Sequence, residues 1–378
     1  MKLAIVCYPT FGGSGVVATM LGTALAQRGH EVHFVTYKQP VRLELLSRNI
    51  FFHEVNVEEY PLFHYQPYDL ALSSKLVNVV QEYDIELLHV HYAIPHAYAG
   101  YMAQQMLREQ GIIIPMVTTL HGTDITLVGN HPVYKPSVNF SINNSDVVTS
   151  VSASLKRDTL ELFDIKKEID VVPNFIDMSL YKTEFKDCDR SVMAFPEERI
   201  ITHVSNMRPV KRVMDIIKIF EKVQKEIPSI LIMVGDGPER FAAEEYANEA
   251  GLKMKIKWVG NSTEIDRILC FSDLFLLPSK KESFGLAALE AMANRTPVIS
   301  SNTGGLPEVN ENGVSGFTSN VGDIDEMAAN AIEILKDDKV LSDFKNAAFA
   351  KAQQYDILNI IPQYEKLYEN VLTGTKSN

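Results

Sequence analysis

Short apolar runs alternate with amphipathic stretches along nearly the whole chain. In the first half the runs cover residues 3–8, 31–37, 86–90 and 113–119, and a helical spacing over 15–29 ends at Gly29. In the second half they cover 200–204, 230–234, 256–259, 274–277 and 297–300, with a helical stretch over 213–224. Runs this short, rich in Val and Ile, suit buried strands, and strand–helix alternation predicts parallel sheets with helices on both faces. Two doubly wound α/β domains are expected, 1–172 and 173–357, with a crossover across 171–177 where Pro173 and Asn174 stand. The tail, 358–378, reads as helical to residue 372 with a break at Pro362, and is expected to return to the first domain.

Length agrees with this division, since 378 residues exceed one ordinary domain of roughly 150. Hydrophobic residues at 46% and charged residues at 22% are a soluble, globular balance. The net charge of −12 disfavours nucleic acid and anionic membranes as partners. Residues 1–175 hold 12 basic against 17 acidic residues and the remainder 24 against 31, so neither half carries a lipid-docking surplus of cations. No apolar run approaches the roughly 18 residues needed to span a bilayer. The first run breaks at Pro9, too early for a signal-peptide core, so a cytoplasmic protein is expected. Cys7, Cys188 and Cys270 form no CxxC pair, and their scatter favours a reducing compartment without structural zinc. A homo-oligomer stays open.

Chemistry gathers where strands end. Gly12-Gly13-Ser14-Gly15 follows the first run and opens the first helix, fitting Gly13-x-Gly15-x-x-Ala18 of a dinucleotide fingerprint. That fingerprint expects a carboxylate closing the second strand, and here Thr36-Tyr37-Lys38 offers none, so the turn is better read as an anion or substrate loop. His89, His91, His96 and His121 invite a metal, but carboxylates at ligand spacing are lacking. His121 leaves a strand for the loop Gly122-Thr123-Asp124, at the end of the sheet where such folds bind ligands.

In the second half, Pro278 to Met292 carries two glutamates eight residues apart, Glu282 in a turn and Glu290 among Ala, Leu and Met. A carboxylate on a half-buried stripe needs hydrogen-bond donors, and sugar hydroxyls supply them. The turn Ser283-Phe284-Gly285 presents backbone N–H groups ahead of Leu286. Ser205-Asn206-Met207-Arg208-Pro209-Val210-Lys211-Arg212 places cations where a pyrophosphate would sit, and Gly235 to Pro238 and Gly260-Asn261-Ser262 follow other strands.

Taken together, the glycine turn, Val172-Pro173-Asn174, Lys211, the Glu282/Glu290 pair and Thr303-Gly304-Gly305-Leu306-Pro307-Glu308 resemble the retaining glycosyltransferases of family 4, with the GT-B fold. The resemblance covers nearly the whole chain and implies two Rossmann-like domains with the active site in the cleft between them. It implies that Glu282 contacts donor-sugar hydroxyls, Glu290 the ribose and Lys211 the pyrophosphate, with Gly15, Asn206, Arg208, Asn261, Ser283, Phe284, Gly285 and Leu286 also at the donor. Asn206 stands where the family usually has an arginine, leaving that role to Arg208 or Arg212. The segments 8–19, 89–97 and 119–126 are similar to a branch using UDP-GlcNAc as donor and L-malate as acceptor, which implies Ser14, Tyr92 and Thr119 at the acceptor and His121 beside the donor sugar. No cofactor and no metal are expected. An inositol phosphate acceptor, or epimerisation of UDP-GlcNAc on the same architecture, are the rival activities.

Overall fold

The computed structural model describes residues 1–10, 13–58, 64–181 and 188–374. Phe11 and Gly12 of the glycine turn and residues 375–378 of the expected tail lie outside the described residues. The chain forms two units, residues 1–175 with 357–378, and residues 176–356.

The first unit is a seven-stranded parallel sheet of β1 (Lys2–Val6), β2 (Glu31–Thr36), β3 (Ile50–Glu54), β4 (Leu87–His91), β5 (Met116–Leu120), β6 (Val147–Ser150) and β7 (Ile169–Val171). Their order is β3-β2-β1-β4-β5-β6-β7. Every residue of β4 and β5 is buried, as expected of strands covered by helices on both faces. The order reverses between β1 and β4, which opens a crevice at their carboxyl ends. β5 begins three residues later than the apolar run, because Pro115 cannot donate to the ladder.

The second unit repeats the plan with β8 (Arg199–Val204), β9 (Ser229–Val234), β10 (Ile256–Gly260), β11 (Leu274–Leu277), β12 (Val298–Ser301) and β13 (Gly316–Ser319). The order β10-β9-β8-β11-β12-β13 reverses between β8 and β11. Both sheets are therefore doubly wound. The helix Val213–Glu226 buries Val213, Ile216, Ile217, Phe220 and Val223, spaced three and four apart, onto Leu231 and Leu274. Cys188 and Cys270, 82 residues apart, form a disulfide, a pairing that scatter along the chain did not disclose, and Cys7 is free and buried.

The tail departs from expectation at Pro362. One helix, Ile357–Thr373, runs through the proline. A proline inside a helix costs about 3 kcal/mol. Ile357, Ile360, Ile361, Tyr364, Leu367 and Tyr368 are all buried along one face, and burying each large side chain returns about 1.5–3 kcal/mol. The helix is anchored to the first unit by Arg28 to Glu365 at 2.8 Å and by Tyr368 to His89 at 2.7 Å. Among the described residues no helix is long and apolar enough to cross a membrane.

Candidate active site

In the second unit the switch between β8 and β11 brings two loops together. The loop after β8 carries Ser205 to Lys211 into the helix Val213–Glu226, and the loop after β11 carries Pro278 to Gly285 into the helix Leu286–Ala293. They are tied by Lys280 N–H donating to the Val210 carbonyl at 2.8 Å. The Lys211 ammonium then pairs with the Glu282 carboxylate, which also accepts from the Ser279 hydroxyl at 3.0 Å. Both charged side chains are mostly buried, so the pair is a focused local field rather than a solvated surface contact.

Glycines make this approach feasible. Gly304 has φ +58°, and a Cβ there would overlap the Glu282 carbonyl oxygen. Its neighbour Gly305 donates its N–H to that oxygen at 3.0 Å. Gly235, at φ +107°, lies in the same way against the Ser205 carbonyl. The loops after β9 and β12 thus brace the two loops that hold the charges.

His203, within β8, sets the next layer. Its Nδ1 lies 2.8 Å from the Leu276 carbonyl, which can only accept, so Nδ1 carries the proton and Nε2 accepts from Ser205 Oγ at 2.7 Å. Burial lowers its pKa to about 4, with Lys211 adding to the effect, so the ring is neutral. Ser205 in turn accepts from Met207 N–H at 3.1 Å. Sequence alone gives His203 no part in the site and assigns no individual role to Ser205 or Ser279. The available signal was a histidine within an otherwise apolar strand that ends at the Lys211 loop.

The other expected donor residues of the second unit lie on its loops and on the helix Leu286–Ala293. Asn206, Arg208 and Asn261 are exposed on loops after β8 and β10, and Glu290 and Leu286 are partly buried on the helix Leu286–Ala293. Ser283 and Gly285 occupy the turn before that helix, Gly285 at φ +101°. The Phe284 side chain is buried against Tyr355, ring centroids 5.5 Å apart.

In the first unit, Ser14 and Gly15 begin the helix Gly13–Gln27. A Cβ on Gly15 would stand 2.6 Å from the Tyr8 and Thr10 carbonyl oxygens, so only glycine lets this turn close. Tyr92, at φ +84°, donates its hydroxyl to Ser14 Oγ at 2.6 Å. That unusual backbone aims the ring over the first turn of the helix, at the β1/β4 crevice. His121 is buried after β5, with Nε2 2.8 Å from Nδ1 of His91 and its ring centroid 5.1 Å from that of Tyr92. Burial lowers its pKa to about 3. Asp124 accepts backbone N–H bonds from Ala93 at 2.8 Å, Gly122 at 2.9 Å and His121 at 3.2 Å, clamping the two loops together. Burial outweighs those donors and raises its pKa to about 6.

Thr119 is placed differently from Ser14 and Tyr92. It is fully buried, and its hydroxyl lies 2.8 Å from His89 Nε2 and 2.7 Å from Thr149 Oγ1. His89 in turn meets the Tyr368 hydroxyl, so Thr119 belongs to the layer under the crevice that the tail helix completes. No group of three or more His, Cys, Asp or Glu side chains among the described residues is arranged to hold a metal ion.

Comparison with known proteins bears on this geometry. The family model "Glycosyltransferase Family 4" matches residues 11–180, and "Glycosyl transferases group 1" matches residues 186–351. An N-acetyl-alpha-D-glucosaminyl L-malate synthase from Bacillus anthracis is 44% identical over 379 residues, spanning 100% of this chain and 99% of that protein. The chain is a family 4 glycosyltransferase. A D-inositol 3-phosphate glycosyltransferase from Mycobacterium marinum is 30% identical over 170 residues, covering 43% of this chain and 36% of its own length. Among solved structures, Anabaena HepE in complex with UDP and glucose superimposes with a TM-score of 0.82 at 21% identity, covering 98% of this chain and 99% of its own. A sucrose-phosphate synthase from Thermosynechococcus elongatus gives 0.81 at 21% identity, covering 99% of each chain. Family membership makes the chain a hexosyltransferase of GT-B architecture.

Proposed function

We propose that this enzyme transfers N-acetylglucosamine from UDP-GlcNAc to the hydroxyl of L-malate with retention of the α-anomer, releasing UDP, as the first step of bacillithiol biosynthesis in the cytoplasm. The observation that carries the reading is 44% identity to the malate synthase over the whole of both chains. The inositol phosphate transferase, by contrast, resembles less than half of this chain.

The residues support it chemically. Lys211 holds the pyrophosphate, joined by Arg208 and the backbone N–H groups of Ser283 to Leu286. Negative charge grows there as the leaving group departs, and donors fixed in advance stabilise it. Lys211 and Ser279 fix the Glu282 carboxylate; Glu282 accepts from sugar hydroxyls and Glu290 from the ribose. Asn206 and Asn261 add neutral polar contacts to the donor, and Gly15 lets it approach the first helix. His121, kept neutral, orients the donor sugar. In the transfer, the bond from the anomeric carbon to the phosphate oxygen breaks, and the malate hydroxyl bonds to that carbon on the same face. The hydroxyl proton passes to the leaving phosphate oxygen, so no protein base and no metal are needed. At the acceptor, Ser14 and Tyr92 bind malate beside the first turn of the helix Gly13–Gln27, whose free N–H groups favour a carboxylate. Thr119 acts from beneath, through His89.

UDP release from UDP-GlcNAc, measured with L-malate, with inositol phosphate and with no acceptor, tests the reading. UDP should appear only with L-malate and should survive excess EDTA. Conversion of the UDP-sugar without acceptor, or release driven by inositol phosphate, would overturn it.

A further inference from the structure

The His91 and His121 rings form a pair at the carboxyl ends of β4 and β5, with His91 Nδ1 2.8 Å from His121 Nε2 and ring centroids 5.0 Å apart. The backbone on each side is pinned. The His91 carbonyl lies 2.6 Å from His96 Nδ1, and the His121 N–H donates to Asp124 at 3.2 Å. His91 is fully buried, its ring stacked on that of His89 with centroids 4.5 Å apart. His121 keeps 9% of its surface exposed, so the pair runs outward from the interior to the end of the sheet where such folds bind ligands.

Two neutral imidazoles meeting nitrogen to nitrogen hold one proton between them. Burial lowers the pKa of both, to about 3 at His121 and well below the ordinary value at His91, so both rings are neutral. His91 Nε2, buried with no hydrogen-bond partner, decides which ring donates. Were the shared proton on His121, His91 would carry its own on Nε2, as a sealed N–H with no acceptor. Orphaned N–H groups are the rarer defect in native folds. With the shared proton on His91 Nδ1, only a bare lone pair goes unmet. His121 Nε2 then accepts, and the proton of His121 sits on Nδ1. Among the described residues Nδ1 of His121 meets no partner, and it is not sealed in the fold, so it is the ring atom open to a ligand.

Resting on the placement of His121 beside the donor sugar, we propose that His91 is a positioning residue for the transfer, which fixes His121 as a hydrogen-bond donor with Nδ1–H turned outward. His91 touches no substrate. By occupying Nε2 it stops the His121 ring from flipping or exchanging tautomers, and an oxygen of the donor sugar accepts from Nδ1–H. A ring locked in this way shows the substrates no lone pair, so His121 cannot take the proton of the malate hydroxyl. That proton goes to the leaving phosphate oxygen without competition from a histidine base. A ring set the other way would present a bare nitrogen to the lone pairs of the sugar oxygen. The sugar would then sit out of line with the acceptor, a loss felt in turnover rather than in nucleotide binding.

Long-range proton–nitrogen correlation NMR of the UDP-bound enzyme, labelled at its histidine nitrogens and held at neutral pH, reads the tautomers directly. His121→Gln identifies the His121 signals. The wild type should show His121 protonated at Nδ1 and bare at Nε2, and His91 protonated at Nδ1. His91→Leu, which removes the donor, should return His121 to a mixture of tautomers and lower kcat about tenfold, with the Kd for UDP within about twofold. His91→Asn, whose amide can donate from near the Nδ1 position, should restore kcat to within about threefold of wild type. A His121 ring bare at Nδ1, an unchanged kcat in His91→Leu, or a UDP affinity that falls in step with kcat would overturn the proposal. If His91→Leu does not fold, the wild-type spectrum and His91→Asn still decide. Wild-type turnover by His121→Ala would instead sink the placement of His121 at the donor sugar, whatever tautomer the spectrum shows.

Discussion

The two units build their sites from the same sheet geometry with opposite chemistry. The second unit places a charged pair, Lys211 and Glu282, between loops pressed together by Gly235 and Gly304. The first unit offers neutral rings and hydroxyls, with His91, His96 and His121 buried and Tyr92 bound to Ser14. On the proposed reading, a leaving pyrophosphate meets a standing cation, whereas the small acceptor meets hydroxyls and a helix N-terminus. Nine of the ten histidines lie in the first unit, and only His203 lies in the second.

The largest expected contrast is in acid. Burial holds His89 at about 3, His96 at about 4 and His121 at about 3, with His91 also well below its ordinary value. These are depressed folded-state pKa values. Their stabilising effect is therefore complete above the unfolded pKa of roughly 6.5 and is lost as pH falls towards 4. Each such histidine costs about 1.4 kcal/mol per pH unit across that window. Asp124, with a raised pKa, opposes this by gaining a proton near 6. Hydrogen exchange at pH 5 and 7, corrected for intrinsic rates, should show the first unit losing far more protection than the second. Equal loss in both would break the contrast.

Lys211→Ala comes next. It removes the standing cation and leaves Glu282 without its partner, so kcat/KM should fall about 10²–10³-fold, or roughly 3–4 kcal/mol. Steady-state kinetics with a matched melting temperature would separate this from unfolding. Gly304→Ala should destabilise the protein by about 1–3 kcal/mol through the left-handed backbone and the clash with the Glu282 carbonyl, read as a lower melting temperature. Tyr92→Phe is the mildest. Losing one hydroxyl bond worth about 0.5–1.5 kcal/mol should raise the KM for malate a few-fold and leave UDP affinity unchanged.

Much of this was legible in sequence, though unevenly. Apolar runs located the strands around both switch points, because buried parallel strands are continuous Val/Ile/Leu segments. β3, β6, β7 and β13 escaped, being short and flanked by polar residues that mask a period. Pro362 was read as a break because local propensity does not register the tertiary burial of Tyr364 and Tyr368. The partners that define the site were hidden for the same reason. Lys211 and Glu282 lie 71 residues apart and His89 and Tyr368 lie 279 apart, and only the folded sheet shows that they meet. Thr119 stands near a strand end, but its neighbours His89 and Thr149 turn its hydroxyl into the fold.

The most direct test of the account is proton NMR of the product formed from UDP-GlcNAc and L-malate. The account predicts one N-acetylglucosamine joined to the malate hydroxyl, with the small anomeric coupling of an α-linkage, in step with UDP. A β-linked product, free sugar in place of the malate conjugate, or a UDP-sugar epimer formed without malate would contradict it.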